Sequence, residues 1–176
     1  LENGFGDAPD MAAQTIRLAA EVGLVGASIE DFSGDAARPI YARALAIERV
    51  QAAAEAARAL PITFTLTARS ENFLRGRVDL DDTIDRLQAY EAAGADVLMA
   101  PGLPDLGAVR AVCAALKKPV NFMAGIRGRT PTVAELEGDL EIELRDHVAE
   151  AQRPVRAGEA GAVGPDEGAE DDQGVG

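Results

Sequence analysis

Four short apolar segments, beginning near Val25, Ile62, Ala95 and Val120, alternate with longer stretches patterned as helices. Strands separated by crossovers of that length cannot close as hairpins, so the pattern demands a parallel α/β sheet. Helices are expected over residues 10–22, 42–60, 80–93 and 106–116. In the first, Ile16, Ala19, Ala20 and Val22 suit one buried face, and Gly23 supplies the stop. Pro61 closes the second. The third opens on Asp79-Leu80-Asp81-Asp82, which sets acids at the positive end of the helix dipole, and ends at Gly94. Strands are expected over 25–31, 62–69, 95–100 and 119–125. With a further strand end at Leu1, the sheet should have about five parallel strands.

Parallel sheets collect their reactive groups at the C-terminal ends of the strands. Here those ends carry Glu2-Asn3, Glu30-Asp31 and Arg69-Ser70-Glu71. Glu30 closes an otherwise apolar strand, where a carboxylate suits a hard cation such as Mg²⁺. The alternative for Glu30 and for Asp31 is a helix cap or an arginine partner. Glu2 is either a second acid of the same site or a solvated acid in a βα turn. Gly4 and Gly6 let the backbone turn sharply and approach a ligand closely, which makes Asn3 and Gly4 candidate substrate contacts. Arg69 offers a fork that fits a carboxylate or phosphonate. It can equally pair with Glu30 or Glu71, and the two readings are compatible. Cys113, set among Ala and Val, reads as a buried structural thiol, and His147, in a charged stretch, as a surface residue.

The formal charge of −13 disfavours a nucleic-acid partner or an anionic membrane surface. A small anionic substrate then needs local help from arginine or a metal ion. One cysteine excludes an internal disulfide, and one histidine excludes a histidine-rich metal site. There is no glycine fingerprint for a dinucleotide, no apolar run long enough to span a membrane, and no visible signal peptide. The expectation is a cytoplasmic enzyme. Residues 151–176 hold no Leu, Ile, Phe or Met and many Gly, Glu and Asp, so a disordered acidic tail is expected there. A charged helical extension over 138–150 would join it to a catalytic domain over 1–137.

Five linked motifs, Glu2-Asn3-Gly4-Phe5-Gly6-Asp7, Gly26-Ala27-Ser28-Ile29-Glu30-Asp31, Glu48-Arg49-Val50-Gln51-Ala52-Ala53, Leu66-Thr67-Ala68-Arg69 and Glu91-Ala92-Ala93-Gly94-Ala95-Asp96, resemble the isocitrate lyase/phosphoenolpyruvate mutase superfamily. The resemblance covers roughly residues 1–125. It implies a (β/α)8 TIM barrel, Mg²⁺ dependence, homo-oligomers, and cleavage or formation of C–C or P–C bonds through an enolate of a small 2-oxo or 2-hydroxy acid. It also implies roles for particular residues. Glu2 falls on the second acid of the family's metal-holding Asp-x-Asp, Glu30 on its strand-four glutamate, and Arg69 on its substrate-binding arginine. Glu2 and Glu30 would hold the metal, while Glu30 and Arg69 would carry the chemistry on a small carboxylate substrate.

The departures from that pattern are specific. The lyases carry a Lys-Lys-Cys-Gly-His-like loop after the fourth strand. Here the loop is Phe32-Ser33-Gly34-Asp35-Ala36-Ala37-Arg38-Pro39, without Cys, Lys or His. A further lyase glutamate falls at Pro101. Isocitrate and methylisocitrate cleavage is therefore not expected. Against the family pattern the chain lacks the first two βα units and a recognisable eighth strand, so a partial barrel is expected, through a truncated start and an out-of-frame or divergent end. Two readings follow: a Mg²⁺-dependent enzyme of this superfamily, or a non-catalytic barrel fragment serving as an interaction module.

Overall fold

The computed structural model describes residues 1–124, 126, 131, 132 and 134–136. The expected tail over 151–176, the extension over 138–150 and His147 lie outside the described residues, as does the place where an eighth strand was sought.

The described elements alternate as expected. Helix α1 (Pro9–Glu21) precedes strand β1 (Gly26–Glu30). Then follow α2 (Arg43–Arg58), β2 (Thr65–Arg69), α3 (Leu80–Ala92), β3 (Val97–Met99), α4 (Leu106–Ala115) and β4 (Val120–Asn121). The four strands form one parallel sheet in sequence order, β1-β2-β3-β4. Each helix packs beside the next, α1 on α2, α2 on α3 and α3 on α4, so the helices make a single layer against the sheet. That is the arrangement of a barrel wall: in a doubly wound sheet the helices would divide between two faces.

Local chemistry sets the boundaries. Asp79 caps α3 by accepting from the Asp82 N–H at 2.9 Å, and Asp105 caps α4 by accepting from Ala108 N–H, also at 2.9 Å. Gly94, at φ 106°, supplies the left-handed turn that ends α3 and leads into β3. Alanines let the helices lie close. Ala12, Ala13, Ile16, Ala53, Ala57 and Leu66 form one buried cluster between α1, α2 and the sheet. Leu87, Tyr90, Leu98 and Val112 anchor a second, further along.

The sheet has four strands among the described residues, one fewer than expected. The fifth had been placed at Leu1. That segment does lie beside β1: the Leu1 nitrogen donates to the Ser28 carbonyl at 3.1 Å, and Glu30 N–H donates to the Glu2 carbonyl at 3.0 Å. It leaves extended geometry at once, because Glu2 and Phe5 take φ of 48° and 58° and Gly4 takes 75°. A left-handed residue at the second position ends any ladder there. Among the described residues no helix is long and apolar enough to cross a membrane.

Candidate active site

The parallel register places Glu30 opposite Arg69, the last residues of β1 and β2. Their side chains converge at the C-terminal mouth, with Arg69 Nη2 3.4 Å from Glu30 Oε2. Glu71, two residues beyond β2 and fully buried, takes the stronger contact. Arg69 donates to its Oε1 through Nε at 3.0 Å and Nη2 at 2.5 Å. Arg75 closes the group, with Nη2 3.8 Å from Glu30 Oε1 and Nε 3.4 Å from Glu71 Oε2. Two buried carboxylates and two guanidiniums thus alternate in a closed quartet.

The quartet does not satisfy every atom. Glu30 Oε1 and Glu71 Oε2 are both buried and accept no hydrogen bond. Burial, followed by the negative charge of Glu71, raises the Glu30 carboxyl to a pKa of about 7; Arg69 and Arg75 oppose that rise, and Glu2 adds to it. Glu2 itself is exposed. It reaches the site through its backbone bond to Glu30 and through its charge.

Asn3 and Gly4 are held by the scaffold. The Asn3 amide donates to the Tyr41 hydroxyl at 2.9 Å, and that hydroxyl donates to Asp7 at 2.6 Å. The Gly4 carbonyl accepts from the Thr15 hydroxyl at 2.8 Å. A Cβ on Gly4 would come within 3.0 Å of the Ala12 backbone, so glycine here serves close packing on α1. The turn is organised by Arg49, which is 1% exposed. Its guanidinium donates to the carbonyls of Asn3, Gly6 and Asp7 and stacks over the Tyr41 ring at 4.6 Å. Buried charge of this kind is tolerated only with such partners.

Asp31 has a structural job. It accepts from the Glu71 N–H at 2.8 Å, from the Tyr90 hydroxyl at 2.6 Å and from Arg86 at 3.3 Å. Its carboxyl nevertheless stands above the usual range, burial outweighing those bonds. Asp31 therefore ties the segment after β2, and with it Glu71, to helix α3. The loop over 32–39 closes on itself through an isolated Phe32–Ile40 bridge, Ser33 Oγ on the Arg38 carbonyl and an Arg38–Asp35 ion pair. Cys113 is partly exposed, and burial pushes its thiol up, so it is not activated as a nucleophile.

Two residues of this arrangement, Arg75 and Arg49, and one contact, that of Asp31 with Glu71, had not been assigned from the sequence. Arg75 sits in a helical turn, its N–H bonding the Glu71 carbonyl at 3.0 Å. The i,i+4 spacing of Glu71 and Arg75 was the available signal. Arg49 had been quoted only within a motif, and the anchoring of Glu71 by Asp31 is a tertiary contact without a local signature.

Mg²⁺ can be tested against these groups. A buried carboxylate oxygen without a donor, flanked by other carboxylates, is what a hard cation would satisfy. No cluster of three or more potential metal ligands exists among the described residues. The fit is therefore to an ion held by one or two carboxylates that keeps several waters, the manner usual for Mg²⁺.

Parallel βα units with acids and arginines converging at the strand ends define a site of the (β/α)-barrel type. The chain belongs to the phosphoenolpyruvate phosphomutase family, whose pattern matches residues 1–142, within the PEP mutase/isocitrate lyase superfamily. Among solved structures it is similar to a protein assigned as a lyase/mutase from Burkholderia cenocepacia J2315, at 59% identity and a TM-score of 0.77, covering 78% of this chain and 50% of that one. A protein assigned as a phosphonomutase from the same organism gives 35% identity and a TM-score of 0.70, covering 78% and 58%. A 2,3-dimethylmalate lyase of the superfamily gives 25% and 0.67, covering 77% and 47%. This chain thus spans about half the length of these solved relatives. No curated protein matches it. The relatives are thus assigned as lyases or mutases.

Proposed function

We propose that the chain carries the metal- and substrate-binding half of a Mg²⁺-dependent lyase or mutase that acts on a small 2-oxo or 2-hydroxy acid through an enolate, breaking or making a C–C or P–C bond. The observation that carries this reading is the convergence of Glu30 and Arg69 at the strand ends, with a buried Glu30 oxygen left without a donor.

Glu30, with Glu2 beside it, would hold the ion. Bound there, Mg²⁺ supplies positive charge where oxyanion charge develops on the substrate. Arg69 holds the substrate carboxylate, and its orientation is set by Glu71, which fixes Nε and Nη2 and leaves the remaining edge for a ligand. Asp31 holds Glu71 in turn. Asn3 and Gly4 shape the turn that closes the mouth beside Glu2. The carboxylate-lined mouth selects for a cation first and an anion second, which explains how a chain of charge −13 binds an acid.

Calorimetry tests the reading. Oxalate, a planar two-carboxylate mimic of an enolate, should bind the full chain in the presence of Mg²⁺ and bind at least about tenfold more weakly in its absence. Oxalate binding that ignores Mg²⁺, or no binding at all, would leave the alternative of a non-catalytic barrel fragment.

A further inference from the structure

Arg75 differs from Arg69 in one respect that bears on ligand choice. Arg69 commits two donors to Glu71. Arg75 lies within ion-pair distance of Glu30 and Glu71, yet the oxygens it faces are the two buried ones that accept no hydrogen bond. Among the described residues its guanidinium makes no hydrogen bond. It is nonetheless fixed in place. The helical turn that bonds Arg75 N–H to the Glu71 carbonyl brings the side chain back over the site, and the guanidinium lies 3.5 Å over the centre of the Phe32 ring. Its side chain is 33% exposed, against 20% for Arg69. A planar cation stacked on an aromatic face, held only by long ion pairs and open to solvent along part of its edge, is a preorganised receptor for an anion.

We propose that Arg75 is a specificity-determining residue that receives a second acidic group, at the far end of a substrate whose 2-oxo acid end is held at Glu30 and Arg69. The inference rests on the proposed function for the location of that first end. Both guanidiniums lie within 4 Å of the Glu30 carboxylate, so one short ligand can reach both. Arg75 uses Phe32, at the start of the loop over 32–39, as the plate that holds its plane. A purely charge-balancing Arg75 would predict something else: its removal would weaken every ligand of the site alike, by leaving Glu30 and Glu71 less neutralised.

Calorimetry on the full chain with saturating Mg²⁺ separates these. The probes are pyruvate, 2-oxobutyrate as the uncharged longer control, and 3-phosphonopyruvate, which adds a distal anion. In the wild type, 3-phosphonopyruvate should bind at least about tenfold tighter than pyruvate, and 2-oxobutyrate should not. In Arg75→Gln that preference should fall to within about twofold while pyruvate affinity is kept, which also shows that the variant folds. Arg75→Lys should keep part of the preference, because the charge remains without the fork. A preference that survives Arg75→Gln overturns the assignment, and so does a parallel loss for pyruvate and 3-phosphonopyruvate. If neither ligand binds the wild type, the functional reading fails first and this inference falls with it.

Discussion

Arg69 and Glu71, two residues apart, form the tightest ion pair of the site: Nε and Nη2 both donate to one buried Glu71 oxygen, at 3.0 and 2.5 Å. Because Glu71 is also the neighbouring charge that raises the Glu30 carboxyl most, it links the two groups assigned to metal and substrate. Removing its charge in Glu71→Gln should lower the Glu30 titration midpoint below about 7, since Glu71 raises it. Carboxyl carbon shifts followed against pH by NMR would show this. A midpoint that stays put would mean that burial alone sets it.

Stability should carry the same signature. The Glu30 carboxyl is raised from 4.5 unfolded to about 7 folded. A group raised on folding adds its stability below the unfolded value and loses it as pH rises through the folded one. Without added Mg²⁺, urea unfolding should therefore show a loss between about pH 4.5 and 7 of up to ~3 kcal/mol from this group. Glu30→Gln should match the wild type at pH 4 and exceed it at pH 8. Equal pH slopes for the two proteins would remove Glu30 as the cause.

Asp31 predicts a larger structural effect than its neighbour. Asp31→Asn removes the charge that partners Arg86 and weakens the hold on the Glu71 N–H, at a cost of about 3 kcal/mol. Tyr90→Phe deletes one bond to the same carboxylate and should cost about 1 to 2 kcal/mol. Thermal unfolding of both variants ranks them, and an Asp31→Asn protein as stable as wild type would contradict the anchoring role.

Gly4→Ala should destabilise by about 2 kcal/mol or more. It combines a left-handed backbone at φ 75° with a Cβ 3.0 Å from the Ala12 backbone. The matching change at Gly34, also left-handed but with open space around it, should cost only the backbone part. Equal losses at the two positions would show that packing on α1 contributes nothing.

What was legible in the sequence, and what was not, follows from the range of each interaction. The alternation of elements, the order of the strands and the pairing of Glu30 with Arg69 are consequences of local pattern plus the rule that consecutive βα units lie side by side. The helix starts at Asp79 and Asp105 rest on capping chemistry within one turn. Glu2 was placed at a strand end, and the structure sets it in a left-handed turn that begins at Glu2 itself, two residues before Gly4. Asn3 was read only toward a ligand; the bond from its amide to Tyr41, a residue 38 positions away, has no local signature. Arg49 and Asp31 join segments 40 or more residues apart, and no periodicity encodes which buried arginine meets which carbonyl. Arg75 was within reach, since it lies one helical turn from Glu71.

The loop over 32–39 predicts an absence of activity. It offers no Cys, Lys or His beside the site, and its polar groups bond one another. Glyoxylate should not form from isocitrate, nor pyruvate from methylisocitrate, in a coupled assay with Mg²⁺. Release of either product would contradict the reading of that loop.

The central claim is that the mouth at Glu30 is a Mg²⁺ site with an acid-binding arginine beside it. Titration calorimetry of Mg²⁺ into the wild type, Glu30→Gln and Arg69→Lys tests it most directly. Mg²⁺ affinity should fall at least about tenfold in Glu30→Gln, the loss expected when a hard cation is deprived of a carboxylate. It should be kept in Arg69→Lys, where oxalate binding weakens instead. Unchanged Mg²⁺ affinity in Glu30→Gln would reduce the convergence of Glu30 and Arg69 to a structural ion pair.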